Sequence, residues 1–391
     1  MLIRTLDSLL LLLICLRPLI SYPGSTAVDL LSNSLFILLN IAYFYARGKT
    51  KKTGYDPLFF IFILSLLFSF LLGPDVSKNL PFLLVYLFYL SLFYFSYFEQ
   101  GKKYYPAILF LGTILVCLYA ARTYFIISGY TLDYITQRGL DDSFAKEFLL
   151  RRRAFSPFVL PSLLGGYLAM IIPLCGGVIL EKNKKKERDF ILILAIATFV
   201  LAFFSLFLTK SIGAWFSLIG ALSAYVMIVK RASKKTVVVM LLIILILAAV
   251  FFFRLSGEDF TTPQFSLKKR LNYWSQTLEV IAAHPLKGTG IGNFSLSESR
   301  FAHNSYLQIW AEAGIVPFLS YLVIVLLFLK RGTRAVRDCA NRYFSGFFIA
   351  GLVFIIHNLV DFTFFIPQVA FLWWISLGCV LAYPKGFYST D

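Results

Sequence analysis

The apolar residues of this chain arrive in unbroken blocks, most of them close to the roughly 20 residues a helix needs to cross a bilayer. The block 58–72 carries no charge and no alternation of period two, which excludes a transmembrane barrel, whose strands must alternate. The blocks predict helices over 6–22, 27–46, 57–73, 80–98, 104–128, 155–180, 189–209, 211–229, 236–254, 305–329, 344–363 and 366–383. The expectation is therefore all-α: a polytopic transmembrane helical bundle of about 12 spans. The first block lacks a small-residue cleavage site, and Pro18 and Pro23 fall where one would sit, so it reads as a span and not a signal peptide. Only 255–304 is a sizeable polar interruption. It divides the chain into 1–254 with nine spans, the loop 255–304, and 305–391 with three. Within the loop, Leu267, Leu271, Trp274, Leu278 and Ile281 recur at alternating intervals of four and three. That stripe predicts an amphipathic helix lying on the membrane surface or over the bundle, with Arg270 and Tyr273 beside it.

Composition agrees with lipid as the solvent. The chain is 59% hydrophobic and 15% charged, against roughly 25% charged in a soluble domain. The net charge of +17 follows the topology. With the N-terminus inside and the spans alternating, every inner segment is basic and the inner segments hold 22 of the 37 Lys and Arg, the positive-inside pattern. Both termini are then cytoplasmic, and the cations meet anionic lipid and need no nucleic acid. The remaining cations are unevenly placed. Five lie in 129–154, among them Arg153, and six between 254 and 302, among them Arg270. Arg17 and Arg122 stand near the outer ends of spans, and Lys210 in a short outer turn. Cations on the side where topology does not favour them point to an anionic ligand there.

The polar residues beside that loop carry the candidate chemistry. Asn304, Gln308 and Glu312 recur at intervals of four and share a helix face. In lipid such a stripe must face protein or a water-filled cavity. His303 precedes them at the point where the chain enters the membrane, and His357 and Asp361 repeat the spacing of four near the end of another span. This second pair reads equally as a structural pair or as a catalytic one. Gly288, Gly290 and Gly292 resemble part of a phosphate-cradling loop, but no strand precedes them and the fingerprint is incomplete. The five cysteines have no CxxC spacing, so neither a zinc site nor a disulfide framework is expected. No D-x-D motif lies outside, and the solvated pair Asp141–Asp142 predicts no cation site.

The stretch 270–294, RLNYWSQTLEVIAAHPLKGTGIGNF, and the stretch 302–315, AHNSYLQIWAEAGI, resemble the signature of the O-antigen ligase and polymerase superfamily. The matching elements are Arg270, Trp274, His284, Pro285, Gly288, Gly290, Gly292, Phe294, His303, Asn304, Gln308, Glu312 and Gly314. Three weaker stretches extend the likeness over about 153–367. Arg153 precedes a Phe-x-x-Pro entry into a span, with Ser162 where the family has Asn. TKSIGAW, 209–215, is similar to Thr-x-Ser-Arg-Gly with Ile212 in place of the arginine, which leaves Lys210 as the nearest cation. HNLVDFTFFIP, 357–367, is similar to the family's His-x-x-x-Asp ending.

The resemblance implies an enzyme of cell-surface polysaccharide biosynthesis in the bacterial inner membrane. It would move a glycan from a polyprenyl-diphosphate donor on the outer face to a lipid-A core sugar, a growing glycan or a protein hydroxyl. His303 would be the general base, Arg270 and Arg153 would hold the diphosphate with Arg122 and Lys210 as further cations, and Asn304, Gln308, Glu312, His357 and Asp361 would support them. No cofactor and no metal are expected. Ligase is preferred over polymerase or protein O-oligosaccharyltransferase. The non-enzyme alternative is a transporter of an anion or lipid-linked glycan, which would keep its polar groups near the midplane.

Overall fold

The computed structural model describes residues 2–20, 26–48, 52–74, 76–99, 105–137, 152–230, 263–338 and 341–382. The expected span 236–254, the pair Asp141–Asp142, Cys339 and Lys385 lie outside them. Among the described residues the chain is all-helical with no strand. The helices are α1 (Leu2–Leu16), α2 (Thr26–Arg47), α3 (Asp56–Leu71), α4 (Val76–Glu99), α5 (Tyr105–Arg122), α6 (Ser128–Gln137), α7 (Pro161–Lys185), α8 (Phe190–Thr209), α9 (Ile212–Lys230), α10 (Pro263–Ala283), α11 (Ser305–Ala313), α12 (Ile315–Asp338), α13 (Arg342–His357) and α14 (Pro367–Leu381). Among the described residues, six segments are long and apolar enough to cross a membrane: Ala27–Arg47, Asn79–Glu99, Tyr105–Ile127, Pro161–Lys185, Phe190–Thr209 and Ile315–Asp338. Four more, Asp56–Leu71, Ile212–Ile228, Arg342–His357 and Pro367–Leu381, are apolar and shorter.

Local chemistry sets the helix boundaries. Pro161 and Pro367 open α7 and α14 at the first turn, where a missing N–H is harmless. The Asp189 carboxylate accepts from Leu192 N at 3.1 Å and caps α8. The Asn341 amide oxygen does the same for Tyr343 N at 2.9 Å, starting α13. All fifteen residues of α14 are buried, so this helix is surrounded by protein. Helices α7 and α13 approach closely: a Cβ on Gly177 would stand 2.7 Å from Arg342 O, and one on Gly346 2.8 Å from Pro173 O. Small residues that let two backbones meet are a recurrent way of joining helices in lipid. Around this core, large apolar side chains such as Leu38, Ile41, Phe60, Phe68 and Phe207 remain exposed. An apolar belt of this extent is foreign to a soluble monomer. With the apolar helices it makes the chain a membrane protein.

Two expected spans end elsewhere. The block 305–329 is split at Gly314, whose φ of +92° is a glycine conformation, and a Cβ there would lie 2.2 Å from Leu286 O. The short α11 therefore precedes the true span α12, which runs on to Asp338. The block 344–363 stops at His357, because Asn358 turns the chain, its side chain donating to Phe354 O at 2.8 Å and accepting from Phe364 N at 2.9 Å. Asp361 thus sits in the following turn and not one helical turn along from His357.

The helix ends sort into two groups. Tyr55 at the start of α3 donates to Leu381 O at the end of α14, Glu181 near the end of α7 accepts from Arg342 N at the start of α13, and Arg337 near the end of α12 donates to Ile228 O near the end of α9. These ends carry Lys182, Lys184, Lys185, Arg334 and Arg337. At the opposite end the start of α14 meets the end of α1 through Gln368 Nε2 and Pro18 O at 3.0 Å. There Arg17, 1% exposed, is paired with Asp29 at the start of α2, and its guanidinium lies 5.5 Å from the Phe88 ring of α4. A buried ion pair that loses one partner leaves an unpaired charge in a dry setting. Asp29→Ala is expected to lower the unfolding free energy by about 3–5 kcal/mol, whereas Arg17→Met with Asp29→Leu should recover most of it. Thermal unfolding of the three proteins in detergent measures this.

Candidate active site at one end of the bundle

The site grows from a loop that glycine conformations fold back on itself. After α10 the chain passes Gly288, Gly290 and Gly292, with φ of +67°, +92° and +82°. Thr289 N donates to Ala311 O at 2.9 Å and Gly290 N to Glu312 O at 3.0 Å, so the loop is bonded to the last turn of α11. The Glu312 carboxylate accepts from Gly292 N on one oxygen and from Gln308 Nε2, at 3.3 Å, on the other. Gln308 in turn accepts from Ala302 N at 3.0 Å. Gln308 and Glu312 are buried, so the polar stripe faces protein. The sequence led Asn304 to be grouped with that stripe. It is instead the N-cap of α11, its side chain accepting from Tyr306 N and Leu307 N at 3.0 and 3.1 Å.

This chain of bonds ends one residue before His303. His303 has φ of +51°, a conformation a β-carbon disfavours. Its carbonyl accepts from Trp274 Nε1 of α10 at 3.4 Å. Its ring stacks on Tyr273, with centroids 5.6 Å apart and planes at 18°, and stands edge-on to Phe362 at 4.8 Å. Phe362 is backed by Phe301 at 4.0 Å. Burial between these rings holds the imidazole down to about pKa 4, opposed by the charge of Asp361 and reinforced by that of Arg270. His303 is therefore neutral at neutral pH, and its buried Nδ1 makes no hydrogen bond among the described residues.

Asp361 is the hub of the remaining polar groups. Its carboxylate lies 3.9 Å from His357 Nε2 and accepts from Phe362 N at 2.8 Å. Its carbonyl accepts from Ser305 N and Oγ at 3.1 and 3.2 Å, which ties the turn after α13 to the start of α11. The Arg270 guanidinium is near enough to act on His303, His357 and Asp361 alike. Four residues expected from three separate stretches of sequence thus converge. His357 packs against Gly166 of α7, where a Cβ would come within 2.9 Å of the ring, and faces Gly213 of α9. The turn between α8 and α9 therefore adjoins the cluster. Arg153 is fixed to that turn, Nε donating to Thr209 O at 3.0 Å. Lys210 is exposed there with φ of +50°, next to Ile212. Arg122 is exposed at the last residue of α5, and no contact among the described residues brings it to His303.

Of the apolar stripe expected on α10, Ile281 is buried and Leu267 and Trp274 are half-buried, whereas Leu271 and Leu278 stay 53% and 52% exposed; Tyr273 and Thr277 are buried beside it. Hydrophobicity did not mark the aromatic frame of Tyr273, Phe301 and Phe362 or the joint made by Ser305 and Asn358. For the joint, the sequence signal available was the Asn that follows His357.

A helical membrane protein with its polar groups gathered at one end of the bundle is the class defined by this geometry. Residues 197–322 match the family model described as O-antigen ligase, and the match supports membership of the O-antigen ligase superfamily. It runs from within α8 to within α12 and includes Arg270, His303, Gln308 and Glu312. No curated protein matches the chain.

Removing the Glu312 carboxylate leaves Gly292 N and Gln308 Nε2 without their acceptor. Glu312→Ala is expected to lower stability by about 1–3 kcal/mol and to raise amide exchange across 288–303 more than in α7 or α14. Hydrogen exchange followed by mass spectrometry checks this; uniform exchange changes would show that the carboxylate does not hold the loop.

Proposed function

We propose that the chain transfers a glycan from a polyprenyl-diphosphate donor to an acceptor hydroxyl on the outer face of the bacterial inner membrane. The reading is O-antigen ligase-like, with polymerase and protein O-oligosaccharyltransferase as variants of the same chemistry. One observation carries it: a neutral histidine held in a left-handed backbone conformation between two aromatic rings, with an arginine and a carboxylate acting on it. His303 takes the proton from the acceptor hydroxyl. The oxygen attacks the anomeric carbon, the bond from that carbon to the diphosphate breaks, and the electron pair leaves with the diphosphate. Arg270, with Arg153 and Lys210 on the adjoining turn, stabilises the charge that develops there. Asp361 stabilises His303 once it is protonated. Guanidinium can bind phosphate through two parallel hydrogen bonds, which an ammonium cannot do.

The basic ends of α7 and α12 meet the cytoplasm and the site faces outward in this proposal, in keeping with positive-inside topology. The concentration of polar groups at one end favours transfer chemistry over the transporter reading, which needs them near the midplane. No cofactor is needed, and we propose that transfer requires no metal, so it should persist in EDTA. Arg122 has the weakest claim to a donor role.

His303→Ala should abolish transfer from a polyprenyl-diphosphate glycan in a purified assay while the protein remains inserted, and retained turnover excludes it as base. Arg270→Lys should raise the donor KM and lower kcat despite the conserved charge; wild-type donor kinetics would exclude two-point binding. A base with a pKa of about 4 is unprotonated at neutral pH and loses that form as pH falls through 4. The acid limb of kcat/KM is therefore expected near pH 4, well below an ordinary histidine at 6.5. A limb near 6.5 would show that the buried state of His303 is not the working one.

A further inference from the structure

We infer that the segment 292–300 forms a binding cleft for the saccharide of the acceptor, with Arg300 as its principal donor; this rests on the transferase reading above. The cleft is open and has a volume of about 540 Å³, lined by Gly292, Asn293, Ser295, Glu298, Ser299 and Arg300 among others. That volume lies within the roughly 300–1,000 Å³ of small-molecule sites. Its lining offers the groups that hydroxylated rings need: an amide, two hydroxyls, a carboxylate and a guanidinium.

The cleft is built before any ligand arrives. Leu296 N donates to Ser299 O at 2.7 Å, Ser299 Oγ donates to Phe301 O at 2.9 Å, and Phe301 N donates to Ser299 Oγ at 3.0 Å, which closes a tight turn. Ser297 Oγ donates to Gln276 Oε1 at 3.2 Å, and Lys269 pairs with Glu298 at 3.4 Å, so the turn is fixed to α10. Its other edge is held by Gly292 N on Glu312. A preformed wall lowers the ordering cost of binding.

Arg300 joins this cleft to a narrow aromatic slot. Its guanidinium lies 4.4 Å from the Phe82 ring, and it lines the slot with Phe82, Phe301 and Phe365. These three rings keep partly exposed surface. The slot itself holds only about 20 Å³, so a sugar does not enter it; the ring edges supply the apolar side on which a pyranose C–H face can rest. The charges balance, Arg300 acting on Glu312 and Lys269 on Glu298. A balanced polar wall favours a hydroxylated ligand over a diphosphate, which belongs with Arg270. The placement suits the acceptor: Phe301 lines the slot, stacks on Phe362, and Phe362 packs against His303, so two rings in series separate the slot from the base.

The test uses the full-length protein in lipid nanodiscs. The probes are the oligosaccharide released by mild acid from the producing cell's own surface glycan and, in parallel, a Ser-rich peptide. Calorimetry should show saccharide binding that Arg300→Ala and Ser295→Trp each weaken at least about tenfold, a loss of roughly 1.4 kcal/mol. In the transfer assay the two cleft variants should raise the acceptor KM by a similar factor and leave the donor KM unchanged. Ser295→Trp fills the cleft from an exposed position, so it stands if Arg300→Ala fails to fold. Peptide binding without saccharide binding, unchanged affinity in both variants, or a rise in donor KM instead overturns the inference. Saccharide binding with no transfer by the wild type defeats the transferase reading and leaves the cleft as a saccharide site. Transfer with unchanged acceptor KM in both variants does the reverse.

Discussion

The bonding of the glycine loop to the end of α11 is the constraint on which the site depends. Two backbone bonds, from Thr289 and Gly290 to Ala311 and Glu312, and the Glu312 carboxylate on Gly292 fasten a polar loop to a buried helix. The loop is anchored by Ile291 in the main core and by Phe294 beside Ile281, and the hydrogen bonds set its backbone between these anchors. The approach is too close for side chains: a Cβ on Gly288 would lie 2.5 Å from Glu312 O, and one on Gly314 2.2 Å from Leu286 O. The same bonds extend through Gln308 to Ala302 and so set the backbone that presents His303.

The electrostatics of the site follow from that placement. His303 is enclosed by rings and lies within reach of one cation and one carboxylate. Enclosure removes water from the imidazole and favours its neutral form. Asp361 answers both histidines and Arg270 while its backbone holds Ser305. One short turn after α13 therefore couples the positions of α11 and His357. The small residues Gly166 and Gly213 let α7 and α9 reach the same point, and Arg153 arrives with the turn at Thr209.

The apolar surface and the polar end are two results of one distribution. Helices that expose Leu38, Phe60 or Phe207 along their sides leave polar groups few places except the bundle ends and interior. The Arg17–Asp29 pair and the Asp361 cluster show how interior carboxylates are kept: Arg17 pairs with Asp29, and Arg270 acts on Asp361. Sorting of the helix ends then separates the end rich in lysine and arginine from the end that carries His303.

The sequence by itself determined the helical blocks, because a run of apolar residues of bilayer length has few other fates, and it determined the residue types of the site. Arg270, His303, Gln308, Glu312, His357 and Asp361 were each legible from spacing or from the resemblance, and the helix within 255–304 from its period. The tertiary structure decided which face α10 buries, because Leu271 and Tyr273 are both apolar enough to be inside and only the shape of the partner selects between them. It decided that α11 and α12 are separate, since the φ of Gly314 follows from the contact with Leu286 and not from hydropathy. It decided that Asp361 answers His303 as well as His357. That proximity joins residues nearly sixty positions apart, a separation that no local period encodes and that only the bonding of the turn after α13 to Ser305 at the start of α11 closes.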